Sequence, residues 1–409
     1  MKTTSERGSD GIPTTDSPNS FAVDVDDGNK TTEKTADNSD DDDGNSDSDH
    51  GQLASERTIR EEIVSRFPQE NLVHCFGYGS GVFSQSLSNN DKGVTSIAGM
   101  LDLILVVDDT REFHRANLQR FPHHYAPWLR YGGPDMAAKM QRQGIPSLRD
   151  AHVLFHVVDE DETNSLPKMK YGVVDREDLE RDLTKWDSLY LAGRLHKPTL
   201  PVVANDHNLL EAQTKNLRAA TAAALLLSPQ PPASSSTTNT SSTTVVPWLS
   251  LYRQIASLSY TGDFRMQVGG EDPQKLDKLV QAPGQLQRFH NLYRPILKSY
   301  ETSGLLSISH SSSNKNVSSG GLEWNPNDPS TTSYLRQQLP QSLREGDTVT
   351  TATSDSNRTI GHDALAKALA AIVAPTARNQ SFKGVFTLGF RKSLQYASAK
   401  LSKGLLSRK

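Results

Sequence analysis

Two groups of residues in this chain are suited to chemistry. One is a glycine-rich turn carrying a serine, Phe76-Gly77-Tyr78-Gly79-Ser80-Gly81; the other is a carboxylate heading an apolar run, Leu101-Asp102-Leu103-Ile104-Leu105-Val106-Val107. A turn that exposes backbone N–H groups can hold phosphates, and a carboxylate on the next strand can hold Mg²⁺ against them. Gly79 lets the backbone approach closely, Ser80 offers a hydroxyl, and a helix start after the turn would add a favourable dipole. The turn matches neither the dinucleotide fingerprint, which needs glycine where Val82 stands, nor the P-loop, which needs Gly-Lys-Ser/Thr. A tight structural turn is equally compatible with it. Asp102 stands where a buried strand normally tolerates no charge; its plainer use is a strand-end cap or salt bridge. Together the two point to nucleotidyl transfer from a nucleoside triphosphate.

These residues need strands to hold them. Leu72–Phe76, Leu101–Val107, Ala151–Val158 and Tyr171–Val174 read as strands, and Glu56–Phe67, Phe113–Leu118 and Met136–Met140 as helical. Asp175 is an N-cap for a helix through Gly193, with Leu179, Leu183, Trp186 and Tyr190 on one face. Pro198 and Pro201 mark a boundary. Beyond it the pattern is mainly helical, at Asn208–Leu227, Trp248–Leu258, Pro273–Val280 and Gln285–Leu297. Three polar insertions, Ser228–Thr244, Ser307–Gly320 and Thr348–Thr359, read as surface loops.

The 409 residues allow two ordinary domains plus tails, and the 35 % hydrophobic content implies that part of the length stays unstructured. Net charge is only −4, but residues 1–50 hold fourteen acids against four basic residues, whereas 376–409 hold eight basic residues and no acid. The single cysteine, Cys75, rules out an internal disulfide and reads as a buried strand residue. No apolar run approaches the roughly 18–20 residues that span a bilayer. No import leader is legible at the acidic N-terminus.

A Gly-Ser turn followed on the next strand by an acid is the pattern of the polymerase-β-like nucleotidyltransferases. That superfamily usually has a second acid two residues on, where this chain has Ile104. Alternation puts Asp108 on the face of Asp102, making it the first substitute as metal ligand, with Asp109 behind it. Further segments sharpen the resemblance: Lys170-Tyr171-Gly172-Val173, Leu189 to Pro198, Leu258 to Met266, Ala371-Ile372-Val373 and Lys383 to Thr387. With Phe76–Phe83 and Leu101–Ile104 they resemble, in order and over about residues 56–393, the mitochondrial phosphatidate cytidylyltransferase family, also called the mitochondrial translocator assembly and maintenance family.

The resemblance implies an Mg²⁺-dependent enzyme making CDP-diacylglycerol and pyrophosphate from CTP and phosphatidic acid, for cardiolipin synthesis. It also implies a peripheral position on the matrix side of the mitochondrial inner membrane. Phosphatidate's phosphate, with a second pKa of about 6, needs little help from a general base. Such a site must neutralise two anions and hold the attacking oxygen in line with the α-phosphorus. The expected roles are phosphate binding by Tyr78, Gly79 and Ser80, metal binding by Asp102 and Asp108, and phosphate neutralisation by Lys170 and Arg265. Arg194 and Lys197, read as closing the long helix from Asp175, are further candidate cations, although charge at a helix C-terminus is their commoner use. His114, His123 and His124 are weak zinc candidates without cysteine partners.

At the C-terminus Phe386, Phe390, Leu394, Ala397, Leu401 and Leu405 recur at three- and four-residue steps among Arg391, Lys392, Lys400 and Lys403. This is the profile of a basic amphipathic helix on an anionic membrane, with Gly384 and Gly389 allowing its start to bend away. The alternative is a helix packed on the second domain with a solvated basic face.

The expected architecture is α+β: a disordered acidic leader (1–54), a polymerase-β-like nucleotidyltransferase domain (55–205), a mainly helical, winged-helix-like domain (206–375) and a basic membrane-binding tail (376–409). No nucleic-acid partner is expected. The competing functions are a nucleotidyltransferase acting on RNA or a soluble acceptor, and a non-catalytic translocase assembly factor.

Overall fold

The computed structural model describes residues 57–83, 100–146, 148–159, 167–228, 243–267, 274–309, 320–345 and 360–388. The acidic leader and the tail beyond Leu388 lie outside the described residues, as does most of each polar insertion.

The chain enters through a π-helical turn, Ile59–Ile63, that buries Ile59 and Ile63, and a 3-10 turn ending before Pro68. Strand β1 (Leu72–Tyr78) runs into the short helix α1 (Ser80–Phe83), and β2 (Leu101–Val107) follows. Helices α2 (Thr110–Arg120) and α3 (Pro127–Arg142) lead to β3 (Val153–Val158) and β4 (Met169–Asp175). Asp109 caps α2 by accepting from the Glu112 amide, which is its use here. Then come α4 (Arg176–Lys185), α5 (Ala192–Leu195), β5 (Leu200–Ala204) and the long α6 (His207–Leu226).

The five strands form a mixed sheet in the order β3-β4-β2-β1-β5. β2 and β4 are parallel, and the other pairs are antiparallel. Continuous apolar runs make β2 and β4 buried on both faces. One face, with Leu103, Leu105, Tyr171 and Val173, belongs to a core with the N-terminal turns and Phe113 of α2. The other, with Phe76, Ile104, Val106 and Val174, joins the largest core, which continues into α6, α7 and α10.

The later half contains α7 (Trp248–Ser257), α8 (Phe264–Gln267), α9 (Lys275–Gln281), α10 (Gln285–Thr302), α11 (Pro329–Gln338), α12 (Gln341–Glu345) and α13 (Ile360–Leu388). It also holds a second sheet that the sequence pattern does not reveal: β6 (Thr244–Pro247), β7 (Leu306–Ser309) and β8 (Gly321–Trp324), ordered β6-β8-β7 and antiparallel. Its four-residue strands are too short to show a period. β5 is likewise unexpected. It tolerates Pro201 because it lies at the sheet's edge, paired only with β1. No described helix is long and apolar enough to cross a membrane.

Two expected elements are corrected. The helix from Asp175 stops at Lys185, and Trp186 takes a left-handed conformation (φ 53°). The Asp182 carboxylate causes the break: it accepts from the Ser188, Leu189, Leu191 and Ala192 amides and the Ser188 hydroxyl at 2.8–3.0 Å. Five bonds to a buried carboxylate outcompete helix continuation and start α5 instead. The stretch 376–383, expected to open the membrane tail, belongs to the body. Thr376, Asn379 and Lys383 of α13 are buried, and Lys383 Nζ donates to Asp150 Oδ1 (2.5 Å) and to the Gln141 carbonyl (2.6 Å). Gly384 lies within this helix and does not end it.

Candidate active site

The register brings the sequence-marked residues into one row. Tyr78 on β1 pairs with Asp102 on β2, and Asp102 pairs with Lys170 on β4. Directly paired residues share a face, and strands lie about 4.8 Å apart, so the three side chains stand side by side across roughly 10 Å. The glycine turn closes one end. Gly79 has φ +82°, a conformation that favours glycine, and a Cβ there would lie 3.4 Å from Asp102 Oδ2. Gly81 is pressed so close that a Cβ would fall 2.2 Å from the Met100 carbonyl oxygen. The turn is therefore packed directly against the start of β2, where Asp102 stands.

Asp102 is a carboxylate among cations. Burial pushes its pKa up, while Lys170 and Arg194 pull in the opposite direction and Lys275 adds a smaller pull. The Arg194 guanidinium lies 4.0 Å from the Tyr78 ring centroid and 5.4 Å from that of Tyr190. Burial works against its charge, but Tyr78, Tyr190 and Asp102 outweigh burial and hold its pKa above the ordinary arginine value. Its Nε has no hydrogen-bond partner among the described residues, whereas the buried Tyr78 hydroxyl interacts with the Asp102 carboxylate. A buried donor of this kind is normally satisfied, so Arg194 Nε marks a place for an acceptor.

Arg265 joins the same field. Its guanidinium is held by the buried Asp263 carboxylate, with Nη2–Oδ2 at 2.6 Å and Nε–Oδ1 at 3.0 Å. Burial alone would push the Tyr190 phenol up, yet Arg194, Lys170 and Arg265 together hold it below its ordinary pKa. One phenol thus senses three cations that come from β4, α5 and α8. Lys170 Nζ lies 4.4 Å over the Phe155 ring. Lys197 has a different role. Its Nζ donates to the Gly193 carbonyl (2.6 Å) and Ser259 Oγ (2.8 Å), tying α5 to the turn at 258–260, and burial lowers its pKa well below the lysine norm. Gly193 allows the approach, since a Cβ there would meet Ser259 Cβ at 2.3 Å.

Not every expected residue gathers here. Asp108 lies just past the far end of β2, six residues and about 20 Å from Asp102. It pairs with Arg176 (3.1 Å), so it does not share a metal with Asp102. Alternation fixes the face of a strand, not the end. Ser80 opens α1 immediately after Gly79. His114 and His124 join a buried network with Asn117, Tyr125, Gln141 and Tyr171, away from this row. No group of three or more His, Cys, Asp or Glu able to hold a metal occurs among the described residues. Among the described residues of this cluster, Asp263 is held in an ion pair by Arg265, whereas Asp102 makes no such direct pair. From sequence, Arg194 is a candidate cation whose commoner use is a helix-end charge, Tyr190 reads only as part of an apolar helix face, and nothing marks Lys275. Arg194 and Tyr190 did lie in a segment that carries the family resemblance.

A sequence profile of the family described as "Phosphatidate cytidylyltransferase, mitochondrial" matches residues 60–403. The chain belongs to this family. It is 30 % identical over 352 residues to the mitochondrial phosphatidate cytidylyltransferase of Caenorhabditis elegans, covering 85 % of this chain and 98 % of that protein. The Bos taurus protein of the same name is 33 % identical over 364 residues, covering 86 % and 96 %. The Drosophila melanogaster one is 32 % identical over 355, covering 83 % and 96 %.

Proposed function

We propose that this chain is a phosphatidate cytidylyltransferase that joins the phosphate of phosphatidic acid to the CMP moiety of CTP. The observation that carries this reading is the convergence of Lys170 and Arg194 on Asp102, with Arg265 joining them around Tyr190, in a chain of this family. The mixed sheet, with a Gly-Ser turn after β1 and an acid on β2, supports a polymerase-β-like nucleotidyltransferase domain. The later helices with their three-stranded sheet are suited to the winged-helix-like part.

In the reaction, a phosphatidate oxygen attacks the α-phosphorus of CTP. The new P–O bond makes the pyrophosphate linkage of CDP-diacylglycerol, the bond from the α-phosphorus to the α–β bridging oxygen breaks, and pyrophosphate departs with its electrons. An already anionic nucleophile asks for no general base, so the work is positioning and charge neutralisation. The amides at Gly79 and Ser80 and the Tyr78 hydroxyl are assigned to the CTP phosphates. Arg194 Nε, with no partner among the described residues, is assigned to a phosphate oxygen. Lys170 and Arg265 neutralise the two anions, and Asp263 keeps the Arg265 fork in place. Asp102 and phosphate oxygens of CTP would together hold Mg²⁺, which commonly binds one carboxylate plus substrate phosphates, and the glycine at position 79 lets the backbone come close to the Asp102 carboxylate. Bound there, Mg²⁺ would supply charge stabilisation at the triphosphate.

The basic stretch beyond Leu388 is proposed to hold the protein on an anionic membrane as a peripheral protein, on the matrix side of the mitochondrial inner membrane. The test is purified protein with labelled CTP, Mg²⁺ and phosphatidate vesicles. Formation of CDP-diacylglycerol, and none with RNA or a soluble phosphomonoester as acceptor, is expected. A labelled product from RNA alone would refute the lipid assignment.

A further inference from the structure

We infer that a second surface, on α3 and the last turns of α13, contacts the bilayer independently of the basic segment beyond Leu388. The inference rests on the lipid substrate proposed above. Most large apolar side chains of the described residues are buried, but Trp128, Tyr131 and Met136 of α3 and Phe382, Val385 and Phe386 of α13 are exposed. Tyr131 is 97 % exposed, Phe386 46 % and Trp128 39 %. Trp128, Tyr131, Phe382 and Phe386 form one surface. Trp128 Nε1 donates to the Phe386 carbonyl at 3.0 Å, the Phe382 and Phe386 rings lie tilted with centroids 4.6 Å apart, and Tyr131 is three residues from Trp128 on the same helical side.

The occupant follows from residue type and charge. Trp and Tyr carry an apolar ring with a polar edge and favour the headgroup level of membranes. Beside them a cleft of about 250 Å³ is lined by Arg130 and by Arg115, which is paired with Glu112, together with Leu118, Pro122, Gly133 and Pro134, so Arg130 flanks the apolar surface as an anionic lipid would require. Gly133 (φ 72°) and Pro134 break α3 there, turning the Trp128–Tyr131 segment away from the rest of the helix. Continuity adds to this. Phe386 lies two residues before the described end of α13, and residues 389–409 beyond it bring six basic residues and no acid. The buried Lys383–Asp150 pair fixes the helix just before the exposed rings, so the surface is presented by a rigid element.

The chain offers its own probe, because its other three tryptophans, Trp186, Trp248 and Trp324, are all buried. The full-length protein is mixed with phosphatidylcholine vesicles containing phosphatidate, with or without brominated acyl chains. Bromolipid should quench part of the tryptophan emission, and Trp128→Phe should abolish that quenching. Tyr131→Ser, at a position with no packing to lose, should lower vesicle partitioning about tenfold. It should leave turnover of monomeric short-chain phosphatidate unchanged. Vesicle-bound protein without quenching would overturn the inference. So would a wild-type dimer that Tyr131→Ser dissociates, or acrylamide access to Trp128 that rises when 389–409 are removed. Quenching and partitioning require no turnover, so a failure of the catalytic assignment would appear separately, as absence of product from the wild type.

Discussion

Replacing Asp182 with asparagine should destabilise the protein and impair the site without touching a residue of the Tyr78–Asp102–Lys170 row. Oδ1 accepts from the Ser188 amide, the Ser188 hydroxyl and the Leu189 amide; Oδ2 accepts from the Leu191 and Ala192 amides. A carboxylate can serve both groups because it only accepts, whereas an amide must turn its NH₂ toward one of them. In the better orientation two buried amides lose their acceptor and face a donor. At about 1–3 kcal/mol for each unsatisfied group, the cost is about 2–6 kcal/mol, a large part of the 5–15 kcal/mol typical of a domain. Arg194 follows two residues after Ala192, so the release of this turn should also move the guanidinium off Tyr78. Urea denaturation followed by circular dichroism measures the first effect, and kcat/KM for CTP the second. A fall of at least tenfold in kcat/KM is expected under conditions where the variant is still folded. A stability change below about 0.5 kcal/mol would refute the view that Asp182 organises this segment. Full activity in a clearly destabilised variant would refute its role in placing Arg194.

Acid should destabilise the fold before most carboxylates titrate. Burial holds His114 down to about 4 and His196 down to about 3. These pKa values are depressed below the unfolded 6.5, so the native state binds fewer protons; the stability is complete above about pH 6.5 and is lost as pH falls toward 4. His114 alone accounts for about 3 kcal/mol over that window. Urea midpoints that stay flat from pH 7 to pH 4.5 would contradict this. Gly193→Ala forces a Cβ to 2.3 Å from Ser259 Cβ and should cost about 1–3 kcal/mol; an unchanged melting temperature would show that the two segments part freely. Lys383→Met leaves the buried Asp150 carboxylate without its cation and should cost about 3–5 kcal/mol, read by the same denaturation assay.

The parts of the fold legible in the sequence are those with a strong local cause. β1, β2 and β4 are mainly apolar runs, and Asp102 stands out because a carboxylate heads one of them. β5 was hidden by Pro201, which reads as a breaker unless the edge position is known. The second sheet was hidden because β7 and β8 are four residues long and separated by a polar insertion. The helix read through Gly193 failed at Asp182, whose side chain bonds to amides six to ten residues away. Spacing on a helical wheel carries no trace of that. Tyr190 and Arg194 were therefore placed on a helix that does not exist, although the segment itself was singled out. Asp108 failed for a geometric reason, since period two gives the face but six residues carry it to the other end of the strand. Lys383 counted as one more charge of a basic tail, yet it is buried against Asp150, a partner 233 residues away.

The central claim is that the row of Tyr78, Asp102 and Lys170 is where CMP is transferred to phosphatidate. Asp102→Asn tests it most directly, because it keeps the shape of the side chain and removes only the charge. Burial already disfavours that charge, so the variant should unfold at no lower urea concentration than the wild type. Its kcat/KM for CDP-diacylglycerol formation from CTP and phosphatidate vesicles should fall by a factor on the order of 100 or more. Wild-type turnover by a folded Asp102→Asn protein would contradict the account.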